Sequence, residues 1–131
     1  MMMYRTTDTD EILRVLRTKG IWENIGGKSD FEPPITEDYH YLMMVEGVKT
    51  AGLWILHPDK DGLRIHANMI PGFRGSVADD AAEAAFEYGF SIADTIYAEI
   101  PDEHPNVLAF AEKYMTAVSH NNGVTRLEAR A

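Results

Sequence analysis

The chain contains no cysteine, which excludes disulfides, thiolate metal ligands and a thiol nucleophile. It has no apolar run approaching the ~20 residues that span a bilayer. Its N-terminus, MMMYRTTDTDE, lacks the basic-then-apolar order of a signal peptide. Positive charge is scarce: 12 lysines and arginines stand against 21 acids, a formal net charge of -9. Such a surface repels a phosphodiester backbone. Neither nucleic acid nor membrane is therefore expected as a partner, and the cytoplasm is the expected compartment. What is present is ordinary globular composition, 45% hydrophobic and 25% charged over 131 residues, which fits one domain over residues 1–131.

MMMYRTT reads as a short strand, after which Asp8 caps a helix with Glu11 three residues on, the spacing of a capping box. Ile12, Leu13, Val15 and Leu16 supply its apolar stripe. A second short helix is expected around residues 20–25, presenting Ile21, Trp22 and Ile25. The glycines and prolines of GGKSDFEPP then break regular structure, in a loop long enough to be functional. YHYLMMVEG and VKTAGLWILHP pair through a tight turn at Glu46-Gly47. In this hairpin Met43 and Met44 split between the two faces, and Trp54 fills core. Asp59-Lys60-Asp61-Gly62 imitates a calcium loop but lacks an oxygen donor at Leu63 and a glutamate at Ile70, so it reads as a turn. The following strand, residues 63–69, alternates Leu63, Ile65, Ala67 and Met69 on a core face with Arg64, His66 and Asn68 on a polar one.

A helix over residues 78–90 carries Ala81, Ala82, Ala85, Phe86 and Gly89 on one closely packing face. A central strand over residues 94–100 follows, then a helix over 104–116 with Pro105 in its first turn. Two short strands, 117–120 and 124–129, close the chain around the hairpin signal Asn121-Asn122-Gly123. This order specifies an α/β sandwich: a mixed, mostly antiparallel sheet of six or seven strands with about four helices.

Met69-Ile70-Pro71-Gly72-Phe73-Arg74-Gly75 carries an apolar residue, then x-P-x-aromatic-R-G, and the alanine-rich helix follows at once. With this junction and this element order, the chain resembles the GNAT superfamily of acetyl-CoA-dependent N-acetyltransferases over nearly its whole length. Asn106 to Lys113 is similar to the helix after that family's fifth strand. The short chain and clipped final region are similar to acetyltransferase-like proteins of tailed bacteriophages, which would place it in host cytoplasm or a virion. The resemblance implies acetyl-CoA (CoA) as cofactor, its pantetheine inserted between splayed fourth and fifth strands and its pyrophosphate on the next helix's N-terminus. It assigns the phosphate cradle to the backbone N–H groups of Gly75, Ser76, Val77, Ala78 and Asp79. Met69 and Ile70 would meet the pantetheine through the main chain, Asn106 would touch the cofactor, and Arg74 and Arg64 would add positive charge.

The sequence also departs from that pattern. The family loop, R/Q-x-x-G-x-G/A, places Val77 at its first glycine and Asp79 at its second small residue. A β-branched valine resists the backbone freedom a glycine gives. Asp79 and Asp80 bring carboxylates into the helix's first turn, where they are expected to compete with a phosphate for the same amides. A solvated carboxylate beside a pyrophosphate costs about 1 kcal/mol, close to a tenfold loss of affinity. The family's general-acid tyrosine falls on Ala111 in one register and on Lys113 in another, which leaves Tyr114 as its substitute.

For the base, His66 is best placed, with an ordinary pKa of about 6.5, and Glu99 could act through a water. Each has a plainer reading: His66 as a structural histidine, Glu99 as a solvated strand end, Tyr114 as core. His40, His57, His104 and His120 fall on unrelated elements without metal-ligand spacing. Two functions stay open. One is an N-acetyltransferase in which an amine of a small molecule or a protein attacks acetyl-CoA directly. The other is an inactive GNAT-shaped binding or assembly protein with no cofactor, in a phage particle or against a host factor. A homodimer or a protein partner fits either, and the acidic surface suits a cationic acceptor such as a polyamine, a lysine side chain or an aminoglycoside.

Overall fold

In a computed structural model of the chain, which describes residues 1–23 and 31–131, seven strands form one sheet with helices on both faces. The elements are β1 (Met2–Thr6), α1 (Thr9–Leu16), β2 (His40–Glu46), β3 (Lys49–Asp59), β4 (Gly62–Met69), α2 (Ser76–Phe90), β5 (Thr95–Pro101), α3 (Pro105–Ala111), β6 (Thr116–Asn121) and β7 (Val124–Arg130). The strands lie in the order β1-β2-β3-β4-β5-β7-β6. All neighbours are antiparallel except β4 and β5, which are parallel.

Period-two alternation divides the apolar residues between two cores. Tyr41, Met43 and Leu53 pack on one face against Ile12, Val15, Leu16 and Ile21 from α1 and its following turn. On the other face Leu42, Met44, Trp54, Leu56, Leu63, Ile96 and Leu127 meet Ala78, Ala81, Ala82 and Ala85 of α2. Each fully buried large aliphatic side chain stabilises by roughly 1.5–3 kcal/mol. The alanines and Gly89 let α2 lie close to the sheet. A Cβ at Gly89 would stand 2.6 Å from Ile96 Cδ1.

The N-cap of α1 is Asp8, whose side chain accepts from the N–H groups of Asp10 and Glu11. The reciprocal arm of a capping box is not formed. The Asp8 N–H donates to Thr6 Oγ1 at 3.1 Å, and the Glu11 carboxylate accepts instead from the Tyr4 hydroxyl. The closing hairpin turns through Asn122 (φ 53°) and Gly123 (φ 76°), the two left-handed residues of a type I′ turn.

Three helices, rather than about four, flank the sheet among the described residues. Where a second helix was expected, Ile21 and Trp22 both donate to the Thr18 carbonyl in a turn; Ile25 and residues 26–30 of the loop lie outside the described residues. Helix α2 begins two residues earlier than expected, at Ser76. Helix α3 is much shorter, ending at Ala111. There the Lys113 N–H reaches Phe110 O and the Tyr114 N–H reaches Ala111 O, the tighter three-residue span that closes a helix. Thr116 then enters β6.

The two faces of β4 alternate as expected to its end, but their burial does not follow. Ala67 is exposed and Asn68 buried, because no strand lies beside Ala67 to cover it. Gly52 on β3 sits opposite this segment, and a Cβ there would stand 2.7 Å from the Asn68 backbone carbonyl. Gly52→Ala is expected to destabilise the protein by about 1–3 kcal/mol, read as a lower urea midpoint at unchanged m-value.

Candidate functional site

Strands β4 and β5 are paired only at Leu63↔Ile96 and Arg64↔Tyr97. Beyond that point they diverge, and a cleft of about 530 Å³ opens between residues 65–69 and 98–101. Trp54 stands at its base, with the indole N–H donating to Met69 Sδ at 3.2 Å. Phe86 of α2 and Phe110, Ala111 and Tyr114 from α3 and its following turn wall one side. His66, Glu99 and Asn106 also line it, as do Arg74 and Ala78.

The Ile70 N–H donates to the Ala51 carbonyl at 2.8 Å. In an antiparallel ladder successive residues direct their main-chain groups to opposite sides, so Ile70 and Asn68 face β3, while Met69, Ala67 and Ile65 face the cleft. Ile70 is thus not a main-chain contact for a ligand in the cleft. The Met69 carbonyl faces it but accepts from Arg74 Nε at 3.0 Å. Arg74 Nη2 donates in turn to the Gly20 carbonyl at 2.9 Å.

At the mouth stands the N-terminus of α2. Gly75 is its N-cap, with no side chain bonded to the cap. The Ala78 and Asp79 N–H groups both bond to the Gly75 carbonyl, at 3.0 and 3.4 Å. That leaves the N–H groups of Gly75, Ser76 and Val77 without a partner among the described residues, so the expected cradle of five contracts to three.

No protein-family profile matches this chain, and no curated protein does. Solved structures do. A point mutant of the spermidine N-acetyltransferase SpeG from Vibrio cholerae superposes with a TM-score of 0.76 at 16% identity, over 99% of this chain and 95% of that one. An acetyltransferase from Thermus thermophilus gives 0.74 at 13%, over 100% and 98%. The N-acetyltransferase PseH from Campylobacter jejuni, in complex with acetyl coenzyme A, gives 0.68 at 11%, over 98% and 99%. The chain has the GNAT fold.

On the GNAT fold the candidate residues fare unequally. His66 and Glu99 reach the cleft from the α1 face of the sheet, Tyr114 and Asn106 from the α2–α3 face. His66 is a poorer base than its residue type suggests. Burial, with the Arg64 and His57 charges behind it, holds its pKa down to about 4. Glu99 is exposed at the cleft wall, 4.0 Å from Arg126. Arg64 lies at the closed end of the splay beside Asp59 and His66, too far down β4 to offset charge at the α2 N-terminus.

Asp79 does not compete for the helix amides. Its Oδ1 accepts from Lys113 Nζ and from the Tyr114 hydroxyl, both at 2.5 Å, tying α2 to the turn after α3. Because α3 ends early, Tyr114 sits in the turn beyond the helix, on the same wall of the cleft as Ala111. Burial and this bond raise the Tyr114 pKa, so its proton is held toward Asp79. His57 is a residue the sequence pattern did not single out. Its Nε2 lies 3.2 Å from that of His66, and only the β3–β4 register, His57↔Arg64, brings it there.

The bonds from Lys113 and then Tyr114 lower the Asp79 pKa. A carboxylate with a depressed folded pKa stabilises above its ordinary value near 4 and loses that contribution as pH falls through the folded value. Asp79→Asn is therefore expected to lower the melting temperature at pH 7. The difference from wild type should begin to shrink as pH falls below about 4, the ordinary carboxylate value, and vanish only below the lower folded value, where the native carboxylate is protonated. Melting curves between pH 2 and 7 check it.

Proposed function

We propose that this chain is an acetyl-CoA-dependent N-acetyltransferase that acetylates a cationic amine. The single observation that carries the reading is the splay of β4 from β5, with a cleft between them and three amides at the α2 N-terminus that have no partner among the described residues. A pantetheine fits the cleft as an inserted strand, using the cleft-facing main chain of Ile65, Ala67 and Met69. A pyrophosphate fits the amides of Gly75, Ser76 and Val77, where the helix dipole favours negative charge. Arg74, at the same mouth, adds a cation. The PseH complex with acetyl coenzyme A and the spermidine acetyltransferase SpeG support the donor and the acceptor class.

In this reading the amine nitrogen attacks the thioester carbonyl directly and the C–S bond breaks. Positioning of the two reactants supplies most of the rate. The acidic surface concentrates a cationic acceptor, and Glu99 on the cleft wall orients it. No group is needed for covalent catalysis, in keeping with the absent cysteine.

Two contacts favour a second reading, a GNAT-shaped binding protein without turnover. Arg74 occupies the Met69 carbonyl, and Asp79 holds the Tyr114 hydroxyl that an acid would need. Calorimetric titration with acetyl-CoA and with CoA separates the two. Binding in the micromolar range is expected, and Val77→Gly should tighten it by relaxing the cradle. No heat and no thermal shift at millimolar ligand would sink the enzyme reading.

A further inference from the structure

Two imidazoles meet edge to edge on the α1 side of the sheet. His66 of β4 lines the cleft and His57 of β3 stands behind it. Their Nε2 atoms are 3.2 Å apart, the ring centroids 5.4 Å apart, and the ring planes only 8° from parallel. The centroid separation matches the N···N distance plus the two ring radii. The rings therefore lie end to end in nearly one plane, the lone pair of one Nε2 aimed along the N–H of the other.

Such a contact needs one proton and no more. Two protonated Nε2 atoms would clash and two bare ones would repel, so the rings hold opposite tautomers at this edge.

We propose that His57 and His66 form one proton-sharing unit on the acceptor side of the cleft, in which His66 takes the proton of the attacking amine and His57 carries the resulting charge. This rests on the acetyl-transfer reading above. Before reaction His66 is protonated on Nε2 and donates to the bare Nε2 of His57. As the amine nitrogen bonds to the acetyl carbon and the C–S bond breaks, the amine proton moves to Nδ1 of His66. The Nε2 proton of His66 moves to Nε2 of His57 in the same direction. His66 ends neutral and His57 ends as imidazolium. The Nε2 proton then returns from His57 to His66 as the Nδ1 proton of His66 leaves to water, which restores the starting tautomers, and the departing thiolate is protonated from solvent.

The surroundings favour the charge at the outer ring. Tyr39 stacks on His57 with centroids 4.6 Å apart and planes 10° from parallel, a face on which a cation is stabilised. Asp59, two residues along β3, supplies a carboxylate whose field reaches His57. His66 has the opposite setting: it is desolvated, and Arg64 lies beside it. The other groups around the pair are Tyr97, whose hydroxyl donates to Asp59, and Glu99 on the cleft wall. His57 is thus a positioning residue that acts through His66.

The test reads ring protonation and rate separately in the full chain. Long-range nitrogen–proton NMR spectra of the histidine rings at neutral pH should show His66 protonated on Nε2 and His57 on Nδ1. On acidification His57 should take the first proton. His57→Phe keeps the ring against Tyr39 but cannot accept a proton. With acetyl-CoA and spermidine it should lower kcat about 100-fold at unchanged KM and unchanged melting temperature, while His57→Gln should fail to rescue.

Protonation of His66 before His57, or rings that titrate independently of one another, would overturn the proposal. So would a His57→Phe enzyme with wild-type kcat. Failure of the wild type to bind acetyl-CoA is a different result: it removes the acetyl-transfer reading and the relay's role with it, while the NMR pattern still reports whether the pair shares its proton.

Discussion

Everything at the site depends on where β4 and β5 stop being neighbours. Parallel pairing holds at two register positions, Leu63↔Ile96 and Arg64↔Tyr97, and then ends. Beyond that point the two facing edges no longer pair with each other in the interior of the sheet, an arrangement a protein normally avoids. Here the gap is kept open by elements that pack on it from outside: α2 through its alanines, Trp54 from β3, and the aromatic residues of α3 and its turn. The burial around the parted edges offsets their cost, and the gap is a place where an extended ligand can complete the sheet.

The loop from Pro71 to Gly75 connects that gap to a helix end, and its residues divide the work. Gly75 caps α2 through its carbonyl and leaves three amides without a partner among the described residues. Arg74 folds back to the Met69 carbonyl and across to Gly20, so it bridges the strand end to the turn after α1. Asp79 faces α3 rather than the amides. Its exposed pairing with Lys113 contributes little to stability by itself, but with the Tyr114 hydroxyl it fixes how α3's turn stands against α2. That turn forms one wall of the cleft.

The polar chemistry is divided by the sheet. On the α2–α3 side Tyr114 is tied to a carboxylate; on the α1 side His66 is tied to another imidazole. Neither is the isolated acid or base that residue type alone suggests. A buried histidine near a cation resists protonation, so a proton accepted there must move on, and the in-line His57 ring is the nearest place for it. Among the described residues no cluster of three or more histidines and carboxylates could hold a metal, and no helix is long and apolar enough to cross a membrane.

Strand alternation and the Asn-Gly turn were enough for the sequence to determine the strands and the starts of the helices; the cleft's mouth was legible only through the family resemblance carried by the x-P-x-aromatic-R-G junction. These are local properties: period two, a helix start and a left-handed turn each depend on residues a few positions apart. The tertiary structure decided the rest. Ala67 could not be assigned to solvent without knowing that β5 leaves β4 after Arg64, five residues before the alternation ends at Met69. The length of α3 depended on a backbone turn that competes with helix continuation at Lys113 and Tyr114. Asp79 has the same sequence neighbours whether it caps a helix or reaches 34 residues ahead to Lys113. His57 and His66, nine residues apart, become partners only through the register of a hairpin. Contacts of that kind are set by packing and strand pairing between distant segments, which no local pattern encodes.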